Sequence, residues 1–128
     1  MVWQALRCRN ASALIDHLTA LGFVETARHV DGDLVSHAEL RWPEGGGVML
    51  GSVKDDAGDP WPAVPGTAAC YVVTADPEAV HARALAAGAE IVRAPFDTDH
   101  GSRDFSARDP EGNLWSFGTY RGEPRRVS

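Results

Sequence analysis

Two tandem βαβββ modules, an α+β fold, account for this sequence, and three observations lead to them: a segment that recurs at a fixed offset, one capped helix-period run in each half, and short β-prone runs around each helix. The recurrence carries the most weight, because repetition at a long period implies a duplicated structural unit. Arg41-Trp-Pro-Glu-Gly-Gly-Gly-Val-Met-Leu-Gly-Ser-Val53 lies over Arg108-Asp-Pro-Glu-Gly-Asn-Leu-Trp-Ser-Phe-Gly-Thr-Tyr120, with arginine, Pro-Glu-Gly and a later glycine in register. Upstream, Asn10 meets Asp76, Gly22 meets Gly88, and Leu14, Leu18 and Leu21 meet Val80, Ala84 and Ala87.

Each half obeys local rules. Val2 to Arg9 is β-prone, and Asn10, an N-cap residue type, then precedes a run with apolar residues at i, i+4, i+7 that ends at Gly22. Three further β-prone runs follow: Phe23 to Val30, Leu34 to Arg41 and Gly47 to Val53. The second half repeats the plan with Ala68 to Thr74, then a helix between Asp76 and Gly88 with Pro77 in its first turn. Glu90 to Ala94, Arg103 to Arg108 and Leu114 to Tyr120 complete it. Pro43-Glu-Gly-Gly and Pro110-Glu-Gly-Asn hold turn residues, so each is read as the last hairpin of its unit. One domain is expected, with module one at 1–53, an irregular Pro- and Gly-containing linker at 54–66, module two at 67–120 and a tail at 121–128.

Composition excludes several classes of function. At 128 residues and 44% hydrophobic content, the chain can fill one core without disulfides. Cys8 and Cys70 each sit in an apolar run and read as buried thiols rather than as a disulfide or zinc ligands. No segment approaches the roughly 18 apolar residues of a membrane span, and no secretory leader is evident, so a cytoplasmic location is expected. The net charge of −6 is spread along the chain; the Arg125-Arg126 pair belongs to the tail, and no basic stripe suits a nucleic acid.

Two βαβββ modules, the second ending in Arg108-Asp-Pro-Glu-Gly-Asn-Leu-Trp115, resemble the vicinal oxygen chelate superfamily, which includes glyoxalases, bleomycin resistance proteins and dioxygenases. His37-Ala-Glu-Leu-Arg, Gly51-Ser and His100-Gly-Ser-Arg103 are similar to its small glyoxalase-like, antibiotic-binding branch. The resemblance implies the glyoxalase/bleomycin-resistance fold, with modules curled into eight-stranded clefts shared across a homodimer. In metal-dependent members, ligands come from the first and last strands. The resemblance puts those positions at Trp3, Met49, Ala69 and Ser116, which offer no ligand set for a divalent cation. No metal and no cofactor are expected.

Alternation along strands then sorts the side chains. Leu6, Cys8, Ala38, Leu40, Phe105 and Ala107 are expected in the core. The cleft receives Trp3, Ala5, Arg7, His37, Glu39, Arg41, Met49 and Gly51 from module one. From module two come Ala69, Tyr71, Val73, Asp104, Ser106, Arg108, Ser116, Gly118 and Tyr120. The expected ligand-binding residues are Trp3, Arg7, His37, Glu39, Met49, Trp61, Tyr71, Ser106, Ser116 and Tyr120, a mixture of aromatic plates and a few polar groups suited to an organic molecule. Of the remaining tryptophans, Trp115 reads as helix-side core and Trp42 as a turn residue. Asp97-Thr-Asp99-His100 reads as a solvated turn, and His17, His29 and His81 as surface residues.

Two kinds of function remain open. A small-molecule binding protein that sequesters an antibiotic or other aromatic natural product fits the filled metal positions and the aromatic cleft. An enzyme is the alternative, either a glyoxalase-like lyase or dioxygenase, or a metal-free catalyst using His37 and Glu39 as an acid/base pair at i, i+2.

Overall fold

The structure, a computed structural model, describes residues 2–54 and 63–124. Pro60, Trp61, Pro62 and Arg125-Arg126 lie outside the described residues. Module one runs β1 (Trp3–Cys8), α1 (Ala11–Leu21), β2 (Val24–Asp31), β3 (Leu34–Arg41) and β4 (Gly47–Ser52). Module two runs β5 (Ala69–Val73), α2 (Pro77–Ala86), β6 (Glu90–Asp97), β7 (Arg103–Arg108) and β8 (Leu114–Gly118). Each forms a four-stranded sheet, ordered β1-β4-β3-β2 and β5-β8-β7-β6, in which the first strand lies parallel to the last.

The helices start and stop for the reasons that their sequences supply. The Asn10 side chain accepts the Ala13 N–H at 3.1 Å, and Asp76 does the same for Ala79, with Pro77 in the first turn. Gly22 closes α1 with a φ of 123°, which a β-carbon would oppose. In α2 the cap is Ala87, and the left-handed residue is the next one, Gly88. The first strand of the second β-meander departs from expectation: β6 continues through Pro95 to Asp97. It can do so because it is an edge strand, where the missing N–H costs no ladder bond, and because register shifts flank Arg93.

The helix-side layers of both modules join in one core. α1 packs on α2, and a cluster of rings crosses the seam, with Phe23 centred 4.9 Å from Trp42 and 5.6 Å from Trp115, and Trp42 5.6 Å from Phe117. Trp42 is therefore core rather than turn surface. It is 5% exposed and donates its indole N–H to the Val73 carbonyl of the other module at 3.0 Å. Two other surface expectations also fail, because His17 is half-buried on α1 and the half-buried His81 ring meets Phe105 edge-on at 5.2 Å.

The Asp-Pro-Glu-Gly-Asn hairpin is structural. Asp109 Oδ1 accepts the N–H groups of Glu111, Gly112 and Asn113 at 2.8–3.0 Å, and Oδ2 accepts Asn113 Nδ2 and Trp115 Nε1 at 2.9 and 2.8 Å. Asn113 in turn accepts the Ala68 N–H at 3.1 Å, tying the hairpin to the start of module two.

Candidate functional site

Because both helices share one core, each sheet turns its other face away from it, and the expected ligand residues on the described strands stand on those two outer faces. Strand pairing arranges the module-one face in rows. Trp3, Gly47 and Arg41 form one row, Ala5, Met49 and Glu39 the next, and Arg7 and Gly51 a third beside His37. The Arg41 guanidinium carbon lies 5.0 Å from the centre of the Trp3 ring, so the aromatic plate already holds a cation. His37 Nε2 stands 2.8 Å from Glu39 Oε2, and the His29 ring stacks on that of His37 at 6.3 Å. Leu6, Arg7, Ser36, His37, Met49, Leu50 and Gly51 line a cavity of about 300 Å³.

The module-two face is built in the same way. Tyr71 pairs in register with Ser116 and Ser116 with Ser106, and the two serine hydroxyls are 2.8 Å apart. The Tyr71 hydroxyl donates to Asp104 Oδ1 at 2.9 Å and accepts the Tyr120 N–H at 3.1 Å. Burial, reinforced by the Asp104 carboxylate against the opposing Tyr120 N–H, holds the Tyr71 phenol above its usual range, so it stays a donor at neutral pH. Gly118 makes this arrangement possible, since a β-carbon there would collide with both the Asp104 carboxylate and the Tyr71 hydroxyl. Tyr120 lies just past β8, with its ring against His100 at 5.0 Å and its hydroxyl on Glu123 at 3.3 Å.

The structure thus gathers the expected residues into two sets. The contacts of Trp3, His37 and Glu39 stay within the module-one sheet, and those of Tyr71, Ser106, Ser116 and Tyr120 within module two. Arg41 and Asp104 were expected on the cleft side but not among the ligand-binding residues, and His29 was expected at the surface, yet each touches a residue of the expected set. Strand alternation puts Asp104 and Arg41 on the right face, but only the register pairs them with Tyr71 and Trp3. A larger hollow, about 460 Å³, lies at the seam where Gln4, Glu44 and Trp42 approach β5, and Ala69 and Tyr71 line it as well.

Metal-dependent members of the superfamily that this chain resembles hold a cation at these positions, and the donors here do not fit one. Ser116 is engaged with Ser106, while Trp3, Met49 and Ala69 provide no carboxylate or imidazole. Among the described residues no group of three or more His, Cys, Asp or Glu side chains is placed to hold a metal ion. Nor is any described helix long and apolar enough to cross a membrane.

Comparison with known proteins agrees with this architecture. TioX from Micromonospora sp. ML1 is 27% identical and superposes with a TM-score of 0.77 over 91% of this chain and 95% of its own. A bleomycin resistance determinant encoded on the transposon Tn5 is 16% identical, with a TM-score of 0.70 over 94% of this chain and 98% of its own. A glyoxalase I variant from Zea mays, also 16% identical, gives 0.72 over 94% of this chain but 45% of its own length. No curated protein sequence matches. The family model matched over residues 1–117 agrees with the paired modules and their hairpins, and the chain belongs to the Glyoxalase/Bleomycin resistance protein/Dioxygenase superfamily.

Proposed function

We propose that this chain is a metal-free small-molecule binding protein that sequesters an antibiotic or another aromatic natural product. One observation carries the reading: the positions from which the superfamily draws its metal ligands hold Trp3, Met49, Ala69 and Ser116, while the surrounding faces keep aromatic rings and hydrogen-bonding groups. A planar ligand stacks on Trp3 in the place of the Arg41 guanidinium, Arg7, His37 and Met49 border the module-one cavity, and Glu39 stands beside His37. Tyr71, Ser106, Ser116 and Tyr120 contribute from the module-two face, and two chains together close the cleft. The Tn5 determinant, which shares the fold, is itself named for resistance to an antibiotic. The 2.8 Å His37–Glu39 contact favours a second reading, a metal-free enzyme that uses this pair for proton transfer.

A thermal-shift screen against aromatic antibiotics, followed by mass spectrometry of the recovered compound, tests both. Sequestration requires a ligand that raises the melting temperature and returns unchanged. Trp3→Ala should weaken its binding by roughly 1–3 kcal/mol, the scale of one buried aromatic side chain. A ligand converted at catalytic turnover makes the protein an enzyme instead.

A further inference from the structure

We propose that Arg41 is a specificity-determining residue of the module-one face. It covers the Trp3 plate in the free protein, leaves when a planar ligand stacks there, and disfavours aromatic cations against uncharged rings of the same shape. The inference rests on the sequestration reading and sets the charge class of the ligand that Trp3 accepts.

Trp3, Gly47 and Arg41 form one row across β1, β4 and β3. Gly47 lets the indole lie down on the sheet, since a β-carbon there would stand 2.8 and 3.0 Å from two carbons of the six-membered ring. From the other end of the row Arg41 brings its guanidinium carbon over that ring, 5.0 Å from the centre. A flat molecule that stacks on Trp3 therefore takes the space that the guanidinium fills. Among the described residues the exposed Arg41 side chain makes no hydrogen bond and no ion pair, so its contact with Trp3 is what holds it there. Such a contact at an exposed site is worth a factor of about two to five, which a stacked ring overcomes.

The charges around the plate add a second effect. Although the chain carries a net charge of −6, the rows from Trp3 to His37 hold two arginines, Arg41 and Arg7, and one carboxylate, Glu39, which stands 2.8 Å from His37. Arg41 is anchored in the same row as Trp3, so its guanidinium stays at the rim of the ring when it is pushed aside. An uncharged ligand loses only the contact it replaces. A cationic one also meets a like charge, which is a means of rejecting a wrong partner.

Acridine and proflavine separate these effects, since they share one tricyclic ring and near neutral pH the first is uncharged and the second a cation. Titration calorimetry should find acridine bound about two- to fivefold more tightly by Arg41→Ala and by Arg41→Gln than by wild type. Proflavine, relieved of a like charge as well, should gain about twofold more than acridine. With Trp3→Ala in place, Arg41→Ala should leave acridine binding unchanged, because no plate remains to be uncovered. Acridine affinity that fails to rise in both Arg41 variants, or rises equally when Trp3 is absent, overturns the cover and leaves the sequestration reading intact. Equal gains for the two dyes overturn the charge selection. If neither dye binds wild type or variants while an antibiotic does, the inference is wrong and sequestration stands. If nothing binds, both fall.

Discussion

Glu44 and Glu111 occupy equivalent places in the two hairpins, and each clasps the module to which it does not belong. Glu111 accepts the N–H groups of Arg9 and Asn10, one with each carboxylate oxygen, both at 2.8 Å. Glu44 accepts the Ala75 N–H at 2.8 Å, one residue before the N-cap of α2. The glutamate of the repeated Pro-Glu-Gly is therefore a reciprocal clamp, placed where a helix N-terminus favours negative charge. Glu111→Ala should lower unfolding stability by about 1–3 kcal/mol, and Glu44→Ala, with one bond instead of two, by about half as much. Urea denaturation measures both, and equal losses would contradict the difference in bonding.

Asp109 has a different task from its counterpart. In module one the same position is Trp42, which fills the seam, whereas Asp109 is 6% exposed and accepts five hydrogen bonds. Removing it strands the donors of buried Asn113 and Trp115. Asp109→Ala should cost about 3–5 kcal/mol, and a loss below about 1 kcal/mol would show that the bonds are replaced by water.

This contrast marks how far the sequence was legible. Repetition, caps and alternation foretold the elements and the faces of Trp3, His37 and Tyr71, because those depend on local periodicity. Trp42 was read as a turn residue because a repeat describes the inside of each module and says nothing of how two modules dock. Arg41 on Trp3 and Asp104 beside Tyr71 were missed for a related reason: both pairings follow from strand register, which is fixed by hairpin and crossover geometry rather than by residue type.

Thiol ionisation gives an alkaline signature. Burial, with smaller contributions from Glu111 and Asp109, pushes the Cys8 thiol up to about 12, and burial with Asp109 takes Cys70 to about 11. The unfolded chain loses these protons near the ordinary thiol value of 9.0, so the stabilisation is complete below that pH and is lost as pH rises toward the folded values. Wild type should lose about 2 kcal/mol more than Cys8→Ala between neutral pH and pH about 11. Parallel curves for the two proteins would mean that Cys8 is not shielded. In the native state both thiols should also react slowly with iodoacetamide under mildly basic conditions.

Elemental analysis of the purified protein should find no stoichiometric zinc, nickel, iron or manganese, because the side chains at the superfamily's ligand positions cannot supply the donors. One metal per chain that disappears in His37→Ala or Glu39→Ala would move the site to that pair and favour the enzyme reading.

The open faces and sheet edges call for a second copy of the chain. Each sheet ends in its first strand, and Tyr71, 43% exposed, and Val24, 54% exposed, stand in the open although each is a large apolar or aromatic residue. A homodimer in which module one of one chain faces module two of the other would cover these surfaces and unite the Trp3 set with the Tyr71 set. Sedimentation equilibrium should return twice the chain mass, and a stable monomer at micromolar concentration would end the idea. The shared cleft makes a sharper demand than the dimer alone. Trp3→Ala and Tyr71→Ala each weaken both clefts of their own homodimer toward a ligand found in the antibiotic screen. When the two variants are unfolded together and refolded, half of the dimers are mixed, and each mixed dimer holds one cleft with both residues intact and one with neither. High-affinity sites for that ligand should therefore reappear at about one quarter of the wild-type number. If each cleft were built within a single chain, mixing would restore none.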